Sequence, residues 1–550
     1  STMHPALSIP EILLSVCNAL VTQRDDAGAD GPYDVQIREL AACARTCRAF
    51  YMPAIMALWK HYDLAIETVL LHCMPEDAWD RRPNTGFQCM ASEKILYPKR
   101  SLHAADLERL MFHAPLVNKL IFGWAAADRR TLALTCTYPR NGLKEAGLTE
   151  EGYKAIASVL PHPVFVNLRH LVWHSNGASL SHIQRYLSPS LNSLTLKLSG
   201  PHISVLSDLA ARCPRVTSLI LNTTNYSGPL EDLEAVHSRL VHAWDLRSLE
   251  SAILDHSSLV SLAGSPHLTH LVNDRAIRNI LRWIPLSLPR NSFTYLCHLY
   301  LRSIDMRLCI ELLQASAFTV LGSLQLTLYN PAAGDWKKLY GALRTAHARP
   351  QLLHTLKIDQ WDFEVTDDQG DAVTDDDIMP LLDFTNLADI DLETCEGFDL
   401  QPAMLEHMAT SWPLVKFLSL RGTQHPQWQR RLTLYALVPF AMHSRLSFIR
   451  NPSPLLRNLG LEFDGTGVSF DHNPPRPDIP SPLRTLAVLW SPINSSRAVA
   501  AFLSIYFPQL DDVATADDLP GKRWGRVGGL VGVFSKIREH ERMEAEGRAP

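Results

Sequence analysis

The chain contains no apolar run of the length, about 18 residues or more, that a bilayer-spanning helix needs, so a membrane span is not expected. It also lacks an excess of either charge, with 52 Lys and Arg against 57 Asp and Glu and a formal net charge of −5. Without a strong basic field, neither nucleic acid nor an anionic membrane is an expected partner. Cysteine is sparse and unpatterned: the ten residues Cys17, Cys43, Cys47, Cys73, Cys89, Cys136, Cys213, Cys297, Cys309 and Cys395 follow no repeating interval. No apolar leader precedes them, and Ser1-Thr2-Met3 reads as an expression remnant. Reduced thiols in a cytosolic or nuclear protein are therefore expected, not a disulfide frame.

Signatures of bond chemistry are missing as well. No Gly-x-Ser-x-Gly elbow, phosphate-binding Walker loop, dinucleotide glycine fingerprint or His-Glu-x-x-His zinc helix occurs. Cys43 and Cys47 fall four apart on a helical face with no second ligand pair, which suits packing better than metal. The acidic run Asp367, Asp368, Asp371, Asp375, Asp376 and Asp377 lacks the regular offsets and terminal Glu of a calcium loop, and reads as solvated. No metal, cofactor or catalytic residue is expected. A chain with 46% hydrophobic and 20% charged residues is nonetheless rich enough in apolar side chains for a large core.

What the sequence does hold is a repeat. A Leu-x-x-Leu-x-Leu core occurs eleven times, at Val117-Leu120-Phe122, Leu168-Leu171-Trp173, Leu191-Leu194-Leu196, Val216-Leu219-Leu221, Leu296-Leu299-Leu301, Leu321-Leu324-Leu326, Leu353-Leu356-Ile358, Leu387-Ile390-Leu392, Val415-Leu418-Leu420, Leu456-Leu459-Leu461 and Leu483-Leu486-Val488. Weaker units lie near Leu249 to Leu254 and Leu268-Leu271. Alternation sends the leucines to one face of a short strand and the residues between them to the other. Prolines such as Pro214, Pro266, Pro350, Pro413 and Pro482 stand just before a new core, where a helical return must end. The spacing fits a leucine-rich repeat with loops of variable length, giving a horseshoe with parallel strands inside and helices outside. The inward polar positions, Lys197, His298, Tyr300, Arg302, Gln325, Lys357, Asp359, Asp391, Glu393 and Arg421, are then the candidate contacts for a protein substrate.

Ahead of the array stand three helical patterns. The first opens with Ser8 to Glu11, a capping box with a proline in the first turn, and carries apolar residues at Ile9, Ile12, Leu13, Val16 and Leu20. A second runs through Ile37, Leu40, Ala44 and Cys47, and a third through Phe50, Ile55, Leu58 and Trp59. So small a cluster leaves much apolar surface in water and calls for a partner.

Leu7, Ile9-Pro10-Glu11-Ile12-Leu13 and Val16, followed by Leu40, Cys43, Cys47, Phe50 and Leu58-Trp59, resemble an F-box over residues 7–60. The match departs from the usual form where Ile9 replaces leucine and where Arg24 to Gln36 is inserted. The resemblance, nearest to the large fungal F-box set with leucine-rich repeats, implies that these residues hold a Skp-type adaptor and through it a cullin scaffold. The array would then present a target for ubiquitin transfer. The expected fold is α/β: an F-box-like domain at 4–62, a linker or cap at 63–112, an irregular repeat solenoid at 113–515 and a terminal cap and tail at 516–550. The alternatives are a repeat scaffold outside any ligase and a receptor completed by a small molecule in the horseshoe.

Overall fold

The computed structural model describes residues 9–22, 33–61, 64–83, 94–122, 146–160, 164–174, 177–199, 206, 208–225, 228–273, 288–329, 334–360, 372–422, 431–441, 456–468, 481–515 and 519–545. The chain forms two compact units, Ser1–Ala252 and Ile253–Pro550.

The first unit begins with helices α1 (Pro10–Thr22), α2 (Tyr33–Thr46) and α3 (Arg48–His61). The amides of Ile12 and Leu13 donate to the carbonyl of Ile9, so the helix opens at Pro10, one residue later than a Ser8 to Glu11 box implies. Proline prefers that first helical position, where no N–H is needed, and its preference sets the start. The helices close on a small core of Cys17, Leu40, Ala54 and Ala57, flanked by Leu20, Cys43, Ala44, Phe50 and Leu58. Asp77 and Asp106, in the stretch read from sequence as part of a linker, are tied by Arg100. Its guanidinium donates to Asp77 and, at 2.7 and 2.8 Å, to both oxygens of Asp106, which also accepts the amide of His103.

Strands follow in chain order: β1 (Leu64–Ala65), β2 (Trp79–Pro83), β3 (Lys94–Pro98), β4 (Lys119–Phe122), β5 (Ala146–Leu148), β6 (His170–Trp173), β7 (Ser193–Ser199), β8 (Ser218–Asn225) and β9 (Ser248–Ser251). Of these, β2, β3 and β5 make a small side sheet in which β2 and β3 are antiparallel. The others stack in parallel, with Leu120, Leu171, Leu194, Leu219 and Leu249 in register on successive rungs. Each is at most 1% exposed, so the leucine spacing writes this unit's core directly.

The second unit continues with β10 (His270–Asn273), β11 (His298–Asp305), β12 (Ser323–Tyr329), β13 (Thr355–Gln360), β14 (Val373–Thr374), β15 (Asp389–Thr394), β16 (Phe398–Asp399), β17 (Phe417–Gly422), β18 (Asn458–Gly460), β19 (Thr485–Leu489) and β20 (Asp512–Thr515). Apart from the short β14–β16 pair, these too form one parallel ladder, through Leu271, Leu299, Leu324, Leu356, Ile390, Leu418, Leu459 and Leu486. Helical returns such as Met306–Ala315 and Asp335–Ala346 pack on one another beside the sheet. Asp305 caps the first of them, accepting from the amides of Arg307 and Leu308. A parallel ladder built from leucine cores and returning helices is the leucine-rich-repeat form. The last helix, Leu519–Ala545, covers β20, with Trp524, Val527 and Val531 fully buried.

Candidate functional site

Helix α1, with Ile9 just before it, carries one broad apolar stripe of which only one side is covered. Leu13 and Cys17 face the module's interior, 1% and 0% exposed. Ile9, Ile12 and Val16, three and four residues apart, face water at 43%, 39% and 44% exposure. On α3, which packs against α1, Tyr51, Met52 and Met56 are exposed as well. Large apolar side chains on one small helical pair leave a surface that water solvates poorly.

The residues read from sequence as adaptor contacts therefore divide. Ile9, Pro10, Glu11, Ile12, Val16 and Cys47 are exposed. Leu13 and Leu40 belong to the interior, where they hold the three helices together, so they offer no open surface. Cys43, Phe50 and Leu58 are half-buried against that same core. Trp59 stacks flat on His113, ring centroids 4.6 Å apart and planes 4° from parallel, so its ring is already engaged by the chain. Burial holds the His113 imidazole below its ordinary pKa, with Arg109 adding to the effect, and a neutral ring suits the stack. Leu7 lies outside the described residues. Tyr51, Met52 and Met56 were not singled out from the sequence. Their signal was present, because α3 is apolar nearly all round and such a helix must be covered on every side.

The inward strand positions form rows. Tyr300, Gln325, Lys357, Asp391 and Ser419 are in register on consecutive rungs, as are Arg302, Thr327, Asp359, Glu393 and Arg421. His298 stands beside His270, the rings stacked at 4.5 Å. Lys197 lies apart in the first unit, paired with Asn222. A bulge at Ser303, held at φ 55, breaks the register after Arg302 and sets where that side chain leaves the strand. Gly460 sits beside Ser419, where a Cβ would come within 2.9 Å of its hydroxyl oxygen, so a larger residue on that rung requires Ser419 to move.

The charged positions neutralise one another across the rungs. Lys357 pairs with Asp389 at 3.0 Å, and Arg421 pairs with Asp391 at 3.0 Å and Glu393 at 2.8 Å. Asp359 is left against this lattice. Burial first, then repulsion from Asp391 and Glu393, raises its pKa to about 6 despite the opposing pull of Arg421 and Lys357.

That shift has a sign that can be measured. A carboxyl with a raised folded-state pKa holds its proton more tightly folded than unfolded, so stability falls as pH rises from the ordinary carboxylate range to about 6. Above that the full cost is present. Asp359→Asn is expected to stabilise the chain by about 1–2 kcal/mol near pH 7.5 and by clearly less near pH 5, read from denaturant unfolding at both values. An equal gain at both pH values would rule the argument out.

Among the described residues no group of three or more His, Cys, Asp or Glu is placed to hold a metal, and no helix is long and apolar enough to cross a membrane. The eight described cysteines are free thiols. Of the acidic run, Asp375, Asp376 and Asp377 open a short helix. Asp377 accepts from the amide and hydroxyl of Thr374, Asp375 accepts from the amide of Gln401, and Asp376 pairs with Lys337. Asp377 thus completes a capping box with Thr374, while Asp367, Asp368 and Asp371 lie outside the described residues.

No protein-family profile matches this chain, and no curated protein matches it. Among solved structures, the leucine-rich repeat-containing protein LegL7 from Legionella pneumophila is similar over 63% of this chain and 91% of its own, with 15% sequence identity and a TM-score of 0.19. The leucine-rich-repeat form rests on the strand register of the chain itself.

Proposed function

We propose that this chain is the substrate-recognition subunit of a Skp/cullin/F-box ubiquitin ligase, with α1–α3 gripping the adaptor and the inward strand face of the repeats gripping a target protein. The observation that carries this reading is the uncovered side of the apolar stripe of α1. Ile9, Ile12 and Val16 stay in water although the same helix has already filled the module's core with Leu13 and Cys17. Burying such side chains contributes roughly 1.5–3 kcal/mol each when they go from fully exposed to fully covered, and with about two-fifths of each still open a partner stands to gain roughly 0.6–1.2 kcal/mol from each. The F-box resemblance of residues 7–60 supplies the identity of that partner, and the charged rows of the inner strand face supply a polar, directional surface for a target.

In this role the chain makes and breaks no bonds. It acts by proximity, raising the effective concentration of a target lysine near a charged conjugating enzyme. The reading is tested by mixing the full chain with a purified Skp-type adaptor and following the pair by size-exclusion chromatography. Co-elution as a one-to-one complex is expected. Separate elution would remove the ligase reading and leave a repeat scaffold that binds proteins through its strand face.

A further inference from the structure

In the second unit, successive rungs are joined at the edge where the strands begin. The carbonyl of Ala388 accepts the amides of Lys416 and Phe417, that of Lys416 accepts Arg457 and Asn458, and that of Arg457 accepts Arg484 and Thr485, all at 2.8–3.2 Å. This bonding places Lys416, Arg457 and Arg484 on three consecutive rungs. Rungs of a sheet lie about 4.8 Å apart, so the three Cα atoms span about 10 Å in a line. All three side chains are exposed. Among the described residues none of the three enters an ion pair or a side-chain hydrogen bond.

The contrast with the inner face is informative. There, Lys357 and Arg421 each have carboxylates within 3.0 Å. At the edge, three like charges stand side by side in a chain whose net charge is −5, and among the described residues none of them has a carboxylate in ion-pair contact. Beside the row opens a pocket of about 370 Å³, lined by Leu352, Ala388 and Leu414, with the polar Gln351, His354 and Asn386 and with Lys416 at the junction of pocket and row. At the other end Asp511 follows Arg484 on the next rung and closes the row.

We propose that this edge docks an extended acidic segment of a protein partner, with an apolar side chain in the pocket and about three or four consecutive Asp or Glu residues along Lys416, Arg457 and Arg484. The lengths are compatible: an extended peptide advances about 3.3 Å per residue and turns alternate side chains to one face, so roughly four residues cross the row and about two of their carboxylates face it, with the flanking ones free to reach it by side-chain rotation. A line of separate carboxylates matches a line of separate cations, whereas a single phosphoryl group can engage only part of it. The surface is distinct from both faces invoked for the ligase reading and stands without it.

The test is fluorescence anisotropy with the full chain and two labelled peptides, Leu-Gly-Glu-Glu-Glu-Glu and its Gln counterpart. The Glu peptide is expected to bind at least about tenfold tighter, and the advantage to shrink as salt rises from about 50 to about 250 mM. Reversing the row with Arg457→Glu and Arg484→Glu is expected to abolish Glu-peptide binding and to confer binding of a Leu-Gly-Lys-Lys-Lys-Lys peptide, a gain that an unfolded variant would not show. Equal binding of the Glu and Gln peptides overturns the proposal, as does unchanged Glu-peptide binding by the reversed variant. Full displacement of the Glu peptide by inorganic phosphate at about 10 mM also overturns it, marking a general anion site and not a peptide surface.

Discussion

Replacing Ile12 and Val16 together with aspartate weakens capture of a Skp-type adaptor by at least about a hundredfold and moves the melting temperature by no more than about 1 °C. Both side chains are exposed at roughly two-fifths of their area, so neither charge is buried in the free chain and folding has little to lose. A partner that covers this face must strip water from two carboxylates with no counter-charge supplied by α1, and that cost falls wholly on the complex. Leu13→Ala is the converse control. Leu13 is 1% exposed in the module's core, so truncating it costs about 2–5 kcal/mol of stability and affects binding only through unfolding. Adaptor affinity is read by isothermal titration and stability by scanning calorimetry. If the double aspartate variant binds as the parent does, the open face of α1 is not the docking surface.

The second large effect lies at the opposite end of the chain. Trp524→Ala is expected to destabilise the second unit by about 3–5 kcal/mol, which for a unit of this size lowers its melting transition by roughly 6–15 °C. Trp524 is fully buried, meets Phe463 edge-on at 5.9 Å and donates its indole N–H to the carbonyl of Ser491 at 2.7 Å. It lies on the helix that covers β20, the final rung, and a repeat stack cannot leave its last apolar layer in water. Trp524→Phe restores most of the apolar volume but orphans the Ser491 carbonyl, and is expected to cost only about 1–2 kcal/mol. A loss below about 1 kcal/mol for the alanine variant would show that the helix caps nothing essential.

The parallel ladders were legible in the sequence because their signal is simple: a leucine two residues after a leucine must share its face, and each of the eleven cores lies on the ladder of its own unit. The end rungs were not legible. Leu64–Ala65 is too short for a period, and Asp512–Thr515 alternates without leucine because one of its sides meets only the capping helix. A terminal cap and tail at 516–550 was expected, but Gly525, Gly528, Gly529 and Gly532 obscured that it is one continuous helix; packing of Trp524, Val527 and Val531 overrides propensity there.

At the candidate sites, position was legible and pairing was not. Lys357, Asp391, Glu393 and Arg421 could be assigned to one face from alternation alone. Only the register reveals that Arg421 serves two carboxylates at once. Lys416, Arg457 and Arg484 escaped notice because returns of unequal length separate them in the chain, and only the rung-to-rung hydrogen bonds bring them into line. In α1 the apolar pattern could not say which side of its stripe was already covered.

The flat stack of Trp59 on His113 joins the last turn of α3 to the segment that runs into β4. A joint made of two locked rings behaves as a bracket and not as a tether. On the proposed reading, a partner docked on α1 would therefore sit at an angle to the first rungs that this stack helps to set, and not at the end of a free linker.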